Sequence, residues 1–303
     1  STLAENLARE YHDITLIDLD EARLQFIQDH HDIRTVTGTG CHPDILLSAG
    51  IEDADMLVSV TNSDEINIVA CQVAHSIFNT PKKIARVRAR NYFIKDYKDL
   101  LFSDSNMPID VLIEPEQAVT DYVRKLVEQP GALQVLDFAD GVIRMIGMRA
   151  TKNSPLVDQK LKTLREHIPK EDARVAAIYR KNKAIVPSGD TVIEDGDEVF
   201  FIAAKKNIKK VMSELRKAER PYKRIIIAGG GNIGYRLASA LEDSLNIKII
   251  EVSSERATFL SEQLNHAVVL NGSASDQELL LDENIDKTDV FIALTNDDEV
   301  NIM

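Results

Sequence analysis

Residues Arg224-Ile225-Ile226-Ile227-Ala228-Gly229-Gly230-Gly231-Asn232-Ile233-Gly234 decide the fold. The β-branched run predicts a strand, the glycines a turn, and the stretch from Tyr235 to Glu242 a helix. The same order continues outward. Ile247 to Val252 predicts a second strand that closes on Glu251, Ser254 to Leu264 a helix, and Ala267 to Leu270 and Asp289 to Leu294 two further strands. Strands separated by helices imply a parallel sheet with both faces covered.

The unit occurs twice. Thr295-Asn296-Asp297-Asp298-Glu299-Val300-Asn301-Ile302 repeats Thr61-Asn62-Ser63-Asp64-Glu65-Ile66-Asn67-Ile68 with six identities at an offset of 234 residues. At that offset Thr37-Gly38 answers to Asn271-Gly272, and after a one-residue slip Ile14 to Asp18 answers to Ile247 to Glu251. A repeat fixes domain organisation better than length does. The alignment sets Ser1 opposite Tyr235 and Met303 opposite Val69. The first copy is therefore expected to lack its opening strand and glycine loop, and the second to stop inside a helix that the first carries on to about Phe78. The first copy adds a strand at Lys83 to Arg88. The expected fold is α/β: two Rossmann-like doubly wound parallel sheets, both truncated, with a small α+β module between them. The expected divisions are 1–128, 129–220 and 221–303.

Between the copies the pattern changes. A helix from Pro115 to Val127 carries Val119, Tyr122, Val123, Leu126 and Val127, an apolar stripe suited to a neighbouring domain or subunit. Beyond Pro130-Gly131, Leu133 to Phe138 and Val142 to Ala150 flank the turn Ala139-Asp140-Gly141 and read as a hairpin. A helix over Leu156 to Glu166 and strands at Arg174 to Arg180 and Glu198 to Ala203 complete a module read as a packing and dimerisation domain. The link Lys205 to Arg224 has nine basic residues and two acidic ones. It reads as a solvated connector, with contact to RNA or anionic lipid as the alternative.

Composition narrows the function. The 303 residues are 44% hydrophobic and 28% charged, enough for two or three packed domains, and the net charge of -13 opposes nucleic acid as a partner. No apolar run approaches the roughly 18 residues that suggest a membrane-spanning helix. Cys41 and Cys71 are the two cysteines and form no metal-binding motif, which argues for a reducing compartment and no metal site. There is no tryptophan, and 5% aromatic residues make a base-stacking surface a poor expectation.

The chemistry sits at the glycine turn. Gly229-x-Gly231-x-x-Gly234 follows a strand and opens a helix, and Glu251 ends the next strand twenty residues after Gly231. That spacing is the dinucleotide-binding pattern: Gly229 for the tight turn, Gly231 for close approach of backbone N–H groups to a pyrophosphate, Gly234 for close packing of helix on sheet. Glu251 would accept the ribose hydroxyls and repel a 2′-phosphate, which favours NAD(H) over NADP(H). In the first copy Asp18 takes its position, and Thr37, Gly38, Thr61 and Asn62 follow at the ends of later strands. Asp18 has the alternative role of helix N-cap, for which Asp20 is better placed. Arg86 and Arg88 alternate along one predicted strand, Arg88 nearer its end; either could meet a phosphate or simply occupy a sheet edge. A hydride-transfer enzyme needs a proton relay beside the nicotinamide. No histidine pair supplies one, so the nucleotide reads as a regulator and the chain as a non-enzyme. An NAD-dependent oxidoreductase is the alternative.

Taken together, GGGNIG with IIEV, the duplicated TN(S/D)DE(I/V)NI, IARVRARNY and GDTVIEDGDEVFFIA resemble the tandem members of the RCK (KTN) family, the regulatory subunits of bacterial Trk-type potassium uptake. The resemblance spans essentially the whole chain. It implies a nucleotide-binding N-lobe followed by a small C-lobe in each unit, and a cytoplasmic protein peripheral to the inner face of the cell membrane. Such a protein forms a homo-oligomeric ring beneath a TrkH-like potassium-conducting subunit and gates it according to bound NAD or NADH, or ATP or ADP. The implied pocket is Asp18, Thr37, Gly38, Thr61, Asn62 and Arg88 in the first copy. In the second it is Gly229, Gly231, Asn232, Ile233, Gly234, Glu251, Asn271, Gly272, Thr295 and Asn296. Glu116 matches a position where some related regulators place a cation.

Overall fold

Short apolar strands alternate with helices through both copies, as the sequence pattern requires. The computed structural model describes residues 2–10, 12–152, 154–167, 172–215 and 220–302, which fall into two units, Ser1–Pro115 and Glu116–Met303. The first unit runs α1 (Thr2–Arg9), β1 (Thr15–Asp18), α2 (Glu21–His30), β2 (Arg34–Thr37), α3 (Pro43–Ser48), β3 (Met56–Ser59), α4 (Asp64–Ser76), β4 (Lys82–Arg86), α5 (Lys95–Leu101) and β5 (Val111–Ile113). Strands β1 and β2 pair in parallel with Asp18 beside Thr37, and β3, β4 and β5 form a second parallel sheet with Ser59 beside Ala85.

Local chemistry sets the helix starts. Asp20 caps α2 by accepting from the Arg23 N–H, and Ser63 caps α4 by accepting from the Ile66 N–H. The capping duty thus falls to Asp20 and not Asp18. Helix α4 buries Ile68 and Cys71 against Ala85 and Val87. Burial pushes the Cys71 thiol up to about 12, so it stays neutral and serves as a small core hydrophobe. Cys41, half-buried, is also a free thiol. Lys83, which is 5% exposed, spans the base of this sheet: its ammonium lies 3.0 Å from Asp110 and donates to the Thr80 carbonyl at 3.2 Å.

The second unit opens with α6 (Pro115–Glu128) and an antiparallel module: β6 (Ala132–Phe138), β7 (Ile143–Arg149), α7 (Leu164–His167), β8 (Ala173–Arg180), β9 (Lys183–Ile185), β10 (Glu198–Ala204) and α8 (Ile208–Leu215). The strand order is β6-β7-β10-β8-β9. The hairpin β6–β7 turns through Ala139, Asp140 and Gly141, all at positive φ. Val135, Ile146, Ile178, Val199 and Phe201 line one face of the sheet and pack on Ile208, Val211 and Leu215 of α8.

Two expectations are corrected here. No continuous helix covers Leu156 to Glu166: Leu156 is fully buried in a loop, followed by a 3-10 turn at Leu161–Thr163 and the single turn of α7. The backbone N–H groups of Leu156, Asp158 and Leu161 are taken by the carbonyls of Glu214, Ile193 and Thr191, and Asp158 has φ of +63°, outside the right-handed helical region. Nor is Lys205 to Arg224 merely a solvated connector. Its first half is α8, whose apolar residues recur at helical spacing beneath exposed lysines and close the module's core; residues 216–219 lie outside the described residues.

The second copy follows: β11 (Arg224–Ala228), α9 (Asn232–Leu241), β12 (Asn246–Glu251), α10 (Ser254–Gln263), β13 (Val268–Asn271), α11 (Gln277–Asp282), β14 (Val290–Ala293) and α12 (Asp298–Ile302). Its sheet is parallel in the order β13-β12-β11-β14. Strand β11 is buried from Ile225 to Ala228, as a central strand covered on both faces must be. Val123 and Val127 of α6 pack into this lobe beside Ile225, Leu237 and Leu241, while Leu126 packs against the antiparallel module. The apolar stripe read in the sequence finds its neighbour there, although Val119 and Tyr122 remain exposed. Among the described residues no helix is long and apolar enough to cross a membrane.

Where α6 meets the antiparallel module, the Arg144 guanidinium grips Asp137 through two hydrogen bonds of 2.7 and 3.1 Å, with Lys125 at 3.0 Å. Arg144, against the opposing pull of burial and with help from Lys125, holds the Asp137 carboxyl at about 2. A carboxylate depressed from 3.8 to about 2 contributes about 2 kcal/mol of stability that is present above about pH 4 and lost as the pH falls toward 2. Asp137→Asn should therefore lower the urea midpoint at pH 7 and flatten the acid limb of stability between pH 4 and 2, read by chemical denaturation at a series of pH values.

Candidate functional site

The carboxyl edge of the second sheet is built around one turn. Gly229 has φ of +105°, and a Cβ there would stand 2.6 Å from the Leu294 carbonyl oxygen. A Cβ on Gly234 would reach 2.0 Å from the Gly229 carbonyl oxygen. Both glycines are required by the close approach of backbone, before any ligand is considered. Gly231 differs: an added Cβ would meet nothing within 4 Å. The space beside it is open, as a cradle for a phosphate requires.

The helix begins earlier than its apolar periodicity suggests. Gly231 is the N-cap of α9 and supplies no side-chain acceptor, and the first intrahelical bond runs from the Tyr235 N–H to the Gly231 carbonyl at 3.0 Å. Asn232, Ile233 and Gly234 thus form the first turn, where N–H groups have no intrahelical acceptor and the helix dipole is positive. That is the arrangement in which a helix receives an anion. On this test the residues present fit a pyrophosphate.

Glu251 does more than end β12. Its Oε2 accepts the Gly230 N–H at 2.8 Å and its Oε1 the Ser253 N–H at 2.8 Å. The carboxylate is thereby fixed against the glycine turn, and each oxygen retains a lone pair for a hydroxyl donor. In the first copy Asp18 makes the matching short-range bond, its Oδ1 accepting the Asp20 N–H at 3.1 Å. Gly38 and Gly272 donate to the carbonyls of Asp18 and Glu251 at 2.9 and 3.0 Å. A Cβ on either would collide with the following helix, 2.6 Å from Ile45 Cδ1 or 2.7 Å from Leu279 Cδ2. Thr37 lies exposed beside Asp18, and Asn271 donates to the carbonyls of Glu251 and Val252 at 2.9 and 3.2 Å.

The repeated octet is explained by its seventh residue, a signal visible in the duplication but not read as part of the site. Asn67 accepts the Thr61 N–H at 2.8 Å and its hydroxyl at 2.7 Å, and donates back to the Thr61 carbonyl at 3.1 Å. Asn301 does the same for Thr295 at 2.9, 2.8 and 2.9 Å. Each asparagine fixes the loop after its strand, leaving Asn62 and Asn296 exposed at the loop tip. Strand β4 ends at Arg86, so Arg88 lies beyond it and does not share a strand with Arg86 as expected. Arg86 donates to the Thr61 carbonyl at 2.7 Å. Arg88 donates to the Asn62 carbonyl and lies 3.6 Å from Asp64, whose carboxylate also accepts the Arg88 and Ala89 N–H groups. Both arginines are thus tied to the octet loop.

Three residues of the second cleft were not read from the sequence. Gly230 is crowded by side chains, since a Cβ would sit 2.3 Å from Leu260 Cδ1. Ser253 both supplies a donor to Glu251 and caps α10. Arg256 donates from Nε to the Gly230 carbonyl at 2.8 Å. Glu116 stands in the first turn of α6 with Oε2 buried and without a hydrogen-bond partner. Among the described residues no group of three or more His, Cys, Asp or Glu side chains is disposed to hold a metal ion.

Comparison with known proteins agrees with the duplicated fold. The TrkA-N domain family matches residues 1–106 and 225–303, and the TrkA-C domain family matches residues 145–216. The chain is 57% identical over 302 residues to the Trk system potassium uptake protein TrkA of Halomonas elongata and 52% identical to that of Vibrio alginolyticus. It is aligned over its whole length and spans about two thirds of theirs, 65% and 66%. Among solved structures, the GsuK RCK domain superposes over 99% of this chain and 62% of its own length with a TM-score of 0.68 at 17% identity. A GsuK channel bound to NAD superposes with the same score and identity over 52% of its length.

The glycine geometry makes a contrast that can be measured. Gly234→Ala should destabilise the protein by about 2 to 4 kcal/mol, because backbone must move to admit the methyl group. Gly231→Ala, at a φ of −60° with open space around it, should change stability by no more than about 0.5 kcal/mol. Chemical denaturation of the two variants checks both values.

Proposed function

This chain belongs to the TrkA family, with two TrkA-N repeats and a TrkA-C domain between them in sequence, and from that premise we propose that it is a nucleotide-binding regulatory subunit of a membrane potassium transporter. The observation that carries the reading is the second cleft: a glycine turn with open space at Gly231, a helix start without side-chain caps, and a carboxylate fixed beside both. Those groups suit the diphosphate and ribose of NAD, NADH, ATP or ADP. The N–H groups of α9 would meet the diphosphate, and Glu251 would accept from the ribose hydroxyls. Thr295 and Asn296 border the same edge of the sheet. In the first copy the corresponding residues are Asp18, Thr37 and Gly38 at the end of the β1–β2 sheet, and Thr61, Asn62 and Arg88 in the segments that follow β3 and β4. The names of the relatives and the NAD- and ADP-bound GsuK channels support the assignment.

In this reading the protein is cytoplasmic, assembles as a homo-oligomeric ring at the inner face of the membrane and contacts a TrkH-like subunit. A nucleotide acts only through unequal affinity for two arrangements of the lobes, with a coupling of about 1–3 kcal/mol. A ligand that binds both arrangements equally shifts nothing. Chemistry on the nucleotide is not part of the proposal.

A thermal-shift panel of NAD, NADH, ATP and ADP on the purified protein tests the binding. A ligand at a hundred times its Kd stabilises by about 2.7 kcal/mol, so at least one should raise the Tm by several degrees. Glu251→Gln together with Asp18→Asn should reduce that rise by more than half. The active nucleotide should then alter potassium flux in vesicles carrying the membrane subunit. A Tm unmoved by all four nucleotides rejects the reading, and steady oxidation of NADH with a small substrate would favour an oxidoreductase instead.

A further inference from the structure

Gly230 is held through both of its backbone polar groups. Its N–H donates to Glu251 Oε2 at 2.8 Å, and its carbonyl accepts from Arg256 Nε at 2.8 Å. A Cβ there would lie 2.3 Å from Leu260 Cδ1 and 3.0 Å from Glu251 Oε2, so any larger residue would press on the side chains around the turn. Glycine brings the widest backbone freedom of any residue. Two side chains from the neighbouring strand and helix remove that freedom.

The arginine is itself constrained. Its guanidinium carbon lies 4.7 Å from the centre of the Phe259 ring and 5.9 Å from that of Tyr235, and the two rings meet edge to face at 6.0 Å. Tyr235 stands on α9 directly after Gly234, so the aromatic pair joins the helix that follows the turn to the helix that carries Arg256. A planar guanidinium suits this seat, because it stacks on a ring while directing Nε at a fixed angle. It also brings a positive charge to the glycine turn itself, through the Gly230 carbonyl, where an incoming diphosphate would be drawn to it. The first copy repeats the pattern: Arg23 follows Asp18 by the same five residues that separate Arg256 from Glu251, and it stands exposed on α2.

We infer that Arg256 is a positioning residue for the phosphate-binding turn of the second cleft. It holds the Gly230 carbonyl back, so that the N–H groups of the turn face the ligand's diphosphate while Glu251 stays in place for the ribose. The inference rests on the nucleotide reading above and adds to it a residue that acts through the backbone of the turn.

Hydrogen–deuterium exchange of the segment 229–241 in the full-length protein isolates this cleft from the other. ADP and adenosine, which differ by the diphosphate, are titrated against protection of that segment in the unsubstituted protein, Arg256→Gln and Arg256→Lys, with Tm as the check on folding. Arg256→Gln should raise the ADP midpoint about tenfold, the loss expected for one charge-assisted hydrogen bond, and move the adenosine midpoint less than twofold. Arg256→Lys, which restores charge and a donor without the planar fork, should fall between. An unchanged ADP midpoint in Arg256→Gln overturns the inference, as does an equal shift for ADP and adenosine, the mark of a merely structural residue. If none of NAD, NADH, ATP and ADP protects this segment in the unsubstituted protein, the nucleotide reading itself is rejected for this cleft and the inference falls with it; if another of the four protects it and ADP does not, that nucleotide takes the place of ADP in the titrations.

Discussion

The second cleft depends on a single bond between a carboxylate and a backbone N–H, from Glu251 at the end of β12 to Gly230 in the turn after β11. The strands are in register there, Ile250 beside Ala228, so the next residue of β12 is the one that can lean across to the turn. With the Ser253 N–H on the other carboxylate oxygen, this bond fixes the acidic side chain at the rim of the sheet and ties the turn to it. Were Glu251 shorter by one methylene, as Asp18 is in the first copy, its reach across the rim would shrink. The two copies are therefore related in plan but not equal in detail.

The fold was legible because its parts are periodic or repeated. Glycine spacing, β-branched strands and the duplicated octet each pointed to a doubly wound sheet, and Asp18, Thr37, Glu251 and Asn271 are the last residues of their strands. Less legible were features that depend on particular side-chain and backbone contacts. Asn67 and Asn301 clamp their loops through side-chain bonds to Thr61 and Thr295, and the duplication alone could have marked them. Leu156 to Glu166 has helical composition, yet three of its N–H groups are claimed by carbonyls thirty to sixty residues away, and Asp158 takes a conformation that no pattern of hydrophobicity encodes. The lysines of residues 205–210 drew attention away from Ile208, Val211 and Leu215, whose spacing was in plain view.

Gly230 and Arg256 illustrate a different limit. The dinucleotide pattern treats the residue between the first two glycines as arbitrary, and only the close approach of Leu260 and Glu251 shows how little room it has. Arg256 has no motif of its own. Its significance comes from the ring of Phe259 three residues on, from Tyr235 on another helix, and from one carbonyl oxygen.

Helix α6 carries a consequence for how this protein can be taken apart. It precedes the antiparallel module in sequence, yet Val123 and Val127 belong to the core of the second parallel lobe and Leu126 to that of the module. The natural cut suggested by the repeat, just ahead of β11, would strip that lobe of part of its own interior. A chimera that exchanges the second lobe between relatives must bring residues 115–128 with it, or match their shape, because inheritance along the chain and ownership of the core do not coincide here.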